Sequence, residues 1–259
     1  DSASTAPPMS SLSCCRSGRR WPSPRTIPAW SSLWDMRTAA EILADIHSLK
    51  VPESTRIIRR EAPAQGIYDE CLAMAQHYLE WDRADKRACG LIDTLITETG
   101  GLPLKETSGA PVCIVNTELN SGNFLINPDG KSYLIDWEKP LLSEPAQDLA
   151  HFLVPTTTFW KTDTILTPEE IATFADNYIA AVGDRMDTST VRERLPLFFK
   201  VTCLRGITWC AMAMREYSEP GRALRNEITF KKIQAYLAPD FLSNILDNYV
   251  RKDFLCGRA

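Results

Sequence analysis

Asn116-Thr117-Glu118-Leu119-Asn120-Ser121-Gly122-Asn123, followed after ten residues by Leu134-Ile135-Asp136-Trp137-Glu138, is the stretch whose reading decides the fold. The intervening Phe124-Leu125-Ile126-Asn127-Pro128-Asp129-Gly130-Lys131-Ser132-Tyr133 is an apolar run, a turn and a second run, the pattern of a β-hairpin. Two turns fit it. With Asp129-Gly130 as the central pair of the loop, Asn123 lies directly opposite Asp136. With Pro128 in the second position of a type I turn and Gly130 as a left-handed bulge residue, the register moves by one. In either register Asn123 and Asp136 meet at the open end. Directly opposed Cβ atoms lie roughly 4.5–5.5 Å apart, so an amide oxygen and a carboxylate there can share one small hard cation. Glu118, five positions before Asn123, brings a second carboxylate to the same end.

An acidic residue, a five-residue step to asparagine and a hairpin to aspartate is the arrangement phosphoryl transfer requires. The first accepts a proton from the attacking hydroxyl, while the other two hold magnesium against nucleotide phosphates. Here the sequence resembles the aminoglycoside phosphotransferase and choline kinase family, relatives of the protein kinases with small-molecule substrates. The family pattern runs H-x-D-x-x-x-x-N, a hairpin, I-D-W-E and then D-P-x-x-D-L-A. This chain has Asn116, Glu118 and Asn123, then Ile135-Asp136-Trp137-Glu138, then Glu144-Pro145-Ala146-Gln147-Asp148-Leu149-Ala150. The resemblance covers roughly residues 36–255 and is strongest over 112–153.

The resemblance implies an α+β, mainly α-helical fold: a protein-kinase-like C-terminal lobe with a catalytic-loop β-hairpin. It implies Glu118 as catalytic base, Asn123 and Asp136 as ligands of metal and nucleotide, and Asp148 as a scaffold carboxylate steadying the loop around residue 116. ATP or another nucleoside triphosphate and Mg are the cofactors it carries. The activity is transfer of phosphate from ATP to a hydroxyl of a small-molecule acceptor of the amino-sugar or amino-alcohol type. Two departures bear on that activity: the family histidine is Asn116, and the family aspartate is Glu118. Free glutamate and aspartate side chains titrate near about 4.3 and about 3.9, which makes them near-equivalent bases, so the change is one of reach. A misplacement of about an ångström costs about a hundredfold in rate. A non-catalytic kinase-like binding module is therefore the alternative function.

A complete enzyme of this type also needs an N-terminal lobe with a glycine-rich strand segment over the nucleotide and a lysine on its phosphates. No lysine precedes Lys50, and no G-x-G-x-x-G is found in that region. Residues 1–34 are rich in Ser, Pro and Arg with isolated Trp21, Trp30 and Trp34. Such a segment cannot bury enough apolar surface to offset its ordering entropy. It also lacks the uninterrupted apolar core of a signal peptide. The expectation is a disordered or aberrant tail over 1–34 and a kinase-like domain over 35–259. The N-terminal lobe is expected to be missing, which would leave the chain weakly active or inactive.

Periodicity predicts a helix over Met36–Leu49 capped by Asp35, with His47 packing or capping at its end, then helices over 67–86 and 88–99. Val112–Val115 reads as a buried strand, and Pro145 as the first residue of a helix carrying Asp148. Thr167-Pro168-Glu169-Glu170 reads as a capped helix start whose helix ends near Gly183. Residues 189–215 contain an apolar run from Leu197 to Met214, interrupted by Lys200 and Arg205; it is too short and too charged for a membrane span and reads as a core helix. Two more helices are expected over 222–237 and 239–253.

With 259 residues and 44% hydrophobic content, the chain can bury a sizeable core. A net charge of −4 does not favour nucleic acid, which needs a concentrated basic surface. Eight cysteines with no C-x-x-C give no zinc or redox motif, and no membrane segment or secretory signal is read; the compartment expected is the reducing cytoplasm.

Overall fold

The structure is a computed structural model that describes residues 25–26, 33–107, 109–219 and 226–252. Most of the segment expected to be a disordered tail lies outside the described residues.

In helix α1 (Leu33–His47), Met36, Ala39, Ala40, Leu43, Ala44 and His47 recur at three- and four-residue intervals and are all buried, forming one core-facing stripe. The helix starts at Leu33, so the expected domain boundary at residue 35 falls inside it. Asp35 sits in the first turn, where its carboxylate faces the positive end of the helix dipole, rather than at the cap. Helix α2 (Pro63–Leu79) begins earlier than its apolar periodicity suggests because Pro63 occupies the first turn, where its missing N–H costs nothing. It ends at Leu79 rather than running on to residue 86. Asp85 opens helix α3 (Lys86–Gly100) by accepting a hydrogen bond from Ala88 N at 2.8 Å.

Strand β1 (Arg25–Thr26) pairs with β3 (Phe124–Ile126), which pairs with β4 (Tyr133–Leu134), giving a three-stranded antiparallel sheet. Strand β2 (Cys113–Val115) pairs antiparallel with β5 (Leu141–Ser143), a strand too short and too close to Pro140 to be read from sequence. The β3–β4 hairpin is the expected one, in the shifted register: Phe124 faces Leu134, and Ile135 N donates to Asn123 O at 2.9 Å. Asn127 builds the turn. Its side chain accepts from Asp129 N at 3.1 Å, its carbonyl from Gly130 N at 3.4 Å, and its own N–H donates to Ser132 Oγ at 3.0 Å. Pro128 takes the second position as expected, but Gly130 is not left-handed.

Helix α4 (Pro145–Leu153) starts at Pro145 as expected, and α5 (Pro155–Thr162), which sequence periodicity does not reveal, repeats that device at Pro155. Helix α6 (Pro168–Val182) carries the expected capping box between Thr167 and Glu170. Helix α7 (Val191–Ser218) is the centre of the molecule and packs against α2, α3, α4, α5 and α8 (Glu227–Leu237), while α1 packs on α6. At 28 residues α7 is long and apolar enough to cross a membrane by length and composition, yet 67% of its apolar window is buried in the protein. Cys203 and Cys210 lie in that buried face. A Cβ at Gly206 would stand 2.5 Å from Thr156 Cβ, so only glycine lets α5 lie this close to α7. Helix α9 (Pro239–Ile245) is shorter than expected and passes into a π-helical turn, Leu246–Val250.

One buried ion pair fastens α7 to the start of α4. Arg194 Nε and Nη2 each donate to a Glu144 oxygen at 2.7 Å, a two-pronged geometry in which both charges are satisfied. Removing one partner alone strands a buried charge. Arg194→Ala is expected to lower unfolding stability by about 3–5 kcal/mol, and Glu144→Gln combined with Arg194→Met by clearly less; urea denaturation of the two variants checks the order.

Candidate active site

The loop after β2 is held by one buried carboxylate. Asp148 Oδ2 accepts from Asn116 N at 2.7 Å and Oδ1 from Thr117 N at 2.9 Å. The same Oδ2 lies 3.3 Å from His47 Nε2, which donates to it. On the far side of the ring, His47 Nδ1 lies 2.9 Å from the Tyr178 hydroxyl on α6, so α1, α4 and α6 converge on the loop. Thr117 has φ 74°, a left-handed conformation that a β-branched residue adopts only when its surroundings impose it. The two backbone N–H bonds to Asp148 supply that constraint. His47, expected only to pack or cap, is thus part of the scaffold, and Asp148 stands where the resemblance placed it.

Asn116, in the place of the family histidine, links two parts of the site. Its amide nitrogen donates to Asp136 O at 3.0 Å, and its amide oxygen accepts from Glu118 N at 3.2 Å. Asp136 also has positive φ, 68°, at the end of the hairpin. Asn123 is buried in a 3-10 turn (Ser121–Asn123), and Asp136 is exposed. In the observed register Asn123 lies opposite Ile135 and Asp136 comes one position later, so the two are not directly opposed. Among the described residues, neither the Asn123 amide nor the Asp136 carboxylate takes part in a hydrogen bond or ion pair, and no group of three or more His, Cys, Asp or Glu side chains is arranged to hold a metal. Each offers an uncommitted hard-oxygen donor, the ligand type that magnesium selects.

Glu118 stands elsewhere, on the wall common to two cavities of about 730 Å³ and 490 Å³. Lys139, His151, Thr202 and Arg205 line both with it, whereas Asn123 and Asp136 line neither. A polar chain crosses this wall. His151 Nδ1 is 2.8 Å from Leu119 O, so it carries the proton and donates; Nε2 then accepts from Arg205 Nη1 at 3.3 Å. Arg205 Nη2 lies 3.6 Å from Glu118 Oε1 and Nε 3.9 Å from Glu70 Oε2, and Arg60 Nη2 donates to the other Glu70 oxygen at 2.9 Å. Burial, with the Arg205 charge adding to it, lowers the His151 pKa from 6.5 to about 4, which keeps the ring neutral and able to accept.

Sequence reading misses His151, Arg205 and Glu70. The only signal is Arg205 as a charge inside an otherwise apolar helix, where it reads as an interruption.

A profile of APH, the phosphotransferase enzyme family, matches residues 32–194, more than half of the chain. No curated protein sequence matches. Among solved structures, the choline kinase LicA from Streptococcus pneumoniae is similar at 19% identity and TM-score 0.51, over 87% of this chain and 69% of that one. An ethanolamine kinase from Plasmodium vivax is similar at 16% identity and TM-score 0.55, over 86% and 66%. The AMP-bound spectinomycin phosphotransferase APH(9)-Ia is similar at 16% identity and TM-score 0.52, over 87% and 70%. At these identities the likeness is one of fold, and the chain spans about two thirds of each relative's length.

Two measurements probe this scaffold. Asp148→Asn leaves a buried N–H without its charged acceptor and is expected to lower stability by about 2–3 kcal/mol in urea denaturation. For His151 the folded pKa lies below the unfolded one, so the unfolded chain takes up a proton that the folded state refuses. Its contribution to stability is intact above pH 6.5 and is lost as pH falls toward about 4. His151→Gln should flatten that part of the stability profile, read as urea midpoints across the window.

The order of the loop, hairpin and Asp148 helix, the scaffold they build and the profile match agree: this chain belongs to the phosphotransferase enzyme family.

Proposed function

We propose that the chain is an ATP-dependent phosphotransferase that transfers the terminal phosphoryl group to a hydroxyl of a small molecule. The observation that carries this reading is the position of Glu118, on the wall of both cavities and on a loop locked by Asp148 and joined through Asn116 to Asp136. In this reading the acceptor oxygen forms a bond to the terminal phosphorus while the bond from phosphorus to the bridging oxygen breaks. The leaving diphosphate keeps that electron pair. Glu118 takes the hydroxyl proton. Asn123 and Asp136 would hold magnesium, which when bound neutralises phosphate charge. Asn116 fixes the spacing between base and metal ligand by bonding to the backbone of both segments.

The replacement of the family aspartate by Glu118 favours a second reading, a kinase-like module that binds nucleotide without transferring phosphate. Calorimetry with ATP and magnesium, beside a coupled phosphotransfer assay, separates the two. Asp136→Ala should weaken nucleotide binding more than Asn123→Ala, because a carboxylate brings charge and an amide only a dipole; equal binding by wild type and Asp136→Ala would remove Asp136 as a ligand. Transfer that is weak but abolished by Glu118→Gln supports the enzyme. Nucleotide binding with no transfer supports the module.

A further inference from the structure

The smaller cavity has an unexpected polarity for an acceptor site. Part of its lining is soft and apolar: Trp160 and Trp209 meet edge to face with ring centroids 5.3 Å apart, and Met74 and Met212 line the cavity with them. The lining also carries Lys139 and Arg205, and the one carboxylate lining this cavity among the described residues is Glu118 itself. If Glu118 faces the reacting hydroxyl, no second carboxylate among the described residues lines this smaller cavity to receive an ammonium group.

Arg205 is also under-used. A guanidinium has five N–H donors, and the one hydrogen bond this side chain makes among the described residues is to His151 Nε2. Its two carboxylate neighbours, at 3.6 Å and 3.9 Å, lie beyond hydrogen-bonding distance, and its side chain is 27% exposed. Leu119 O fixes the His151 ring and the ring fixes one nitrogen of the guanidinium, leaving Nη2 toward Glu118 and Nε toward Glu70, each outside hydrogen-bonding distance of its carboxylate. Such a planar, pre-oriented fork matches a carboxylate.

We infer that the acceptor is a hydroxy acid on a flat apolar body, its anionic group held by Arg205 beside the hydroxyl that meets Glu118, rather than a cationic amino sugar or amino alcohol. This rests on the phosphotransferase reading for the role of Glu118. The short Arg205–Glu118 separation requires hydroxyl and anion to be close together on the acceptor, and the tryptophan wall requires an aromatic or similarly flat remainder. Lys139 adds positive charge to the same cavity.

The test uses three probes that share a phenyl ring and a hydroxyl and differ in charge: mandelate, phenylethylene glycol and phenylethanolamine. Each is titrated calorimetrically into the full chain. Mandelate is expected to bind at least about tenfold more tightly than phenylethanolamine, a difference of about 1.4 kcal/mol, with the neutral diol between them. Arg205→Met should erase the preference and Arg205→Lys should keep its direction. Equal or tighter binding of phenylethanolamine, a preference that survives in Arg205→Met, or no binding by any of the three overturns the inference. Nucleotide titration of the same preparations keeps the two readings apart. Nucleotide binding without the mandelate preference sinks the acceptor assignment alone, whereas the preference without nucleotide binding sinks the phosphotransferase reading and leaves an anion site.

Discussion

The buried carboxylate of Asp148 is the constraint on which the site depends. A fully buried charge is tolerable only when its lone pairs are satisfied, and here two backbone N–H groups and one imidazole satisfy them. The consequence reaches beyond the carboxylate. Those two N–H groups belong to Asn116 and Thr117, so the same bonds that stabilise the charge hold Thr117 in a left-handed conformation and turn the chain toward Glu118. The Asn116 side chain then carries the constraint to Asp136, which is strained in the same sense. Thr117 is thus held in an unfavourable backbone geometry by one charge in the core.

Around that scaffold the cleft is organised by donor and acceptor balance. His151 must be neutral, because it donates through Nδ1 and accepts through Nε2, and burial secures this well below neutral pH. A protonated ring would turn its second nitrogen into a donor facing a guanidinium. The strut therefore fixes Arg205 at ordinary pH and fails in acid. Glu118 stands opposite, on a loop whose backbone is rigid but whose side chain is one methylene longer than the family aspartate. Rigidity of the loop makes that methylene matter, since the backbone cannot retreat to absorb it.

The sequence alone determined what local chemistry determines. Asn123 and Asp136 could be joined because a hairpin has a period of two and a turn of limited size, and Asn127, Pro128 and Asp129 are residues with strong turn preferences. Only the register within that hairpin was open. Helix stripes such as Met36, Ala39, Leu43 and His47, the capping box at Thr167 and Pro145 at a helix start were legible for the same reason: each depends on neighbours within about four positions. Errors fell at the helix ends near Leu33 and Pro63, where a few residues of either state differ little in free energy.

What only the tertiary structure decided is everything that depends on distance in the chain. His47, Asp148 and Tyr178 meet from three helices, and Glu70, His151 and Arg205 from α2, α4 and α7. No period or spacing links them. Arg205 is the clearest case: in the sequence it interrupts an apolar helix, and in the fold it lines both cavities beside Glu118. Side-chain spacing along an element reports which face is buried, but a residue's electrostatic partners are set by how those faces pack, and that information appears only once α7 lies between α2, α4 and α5.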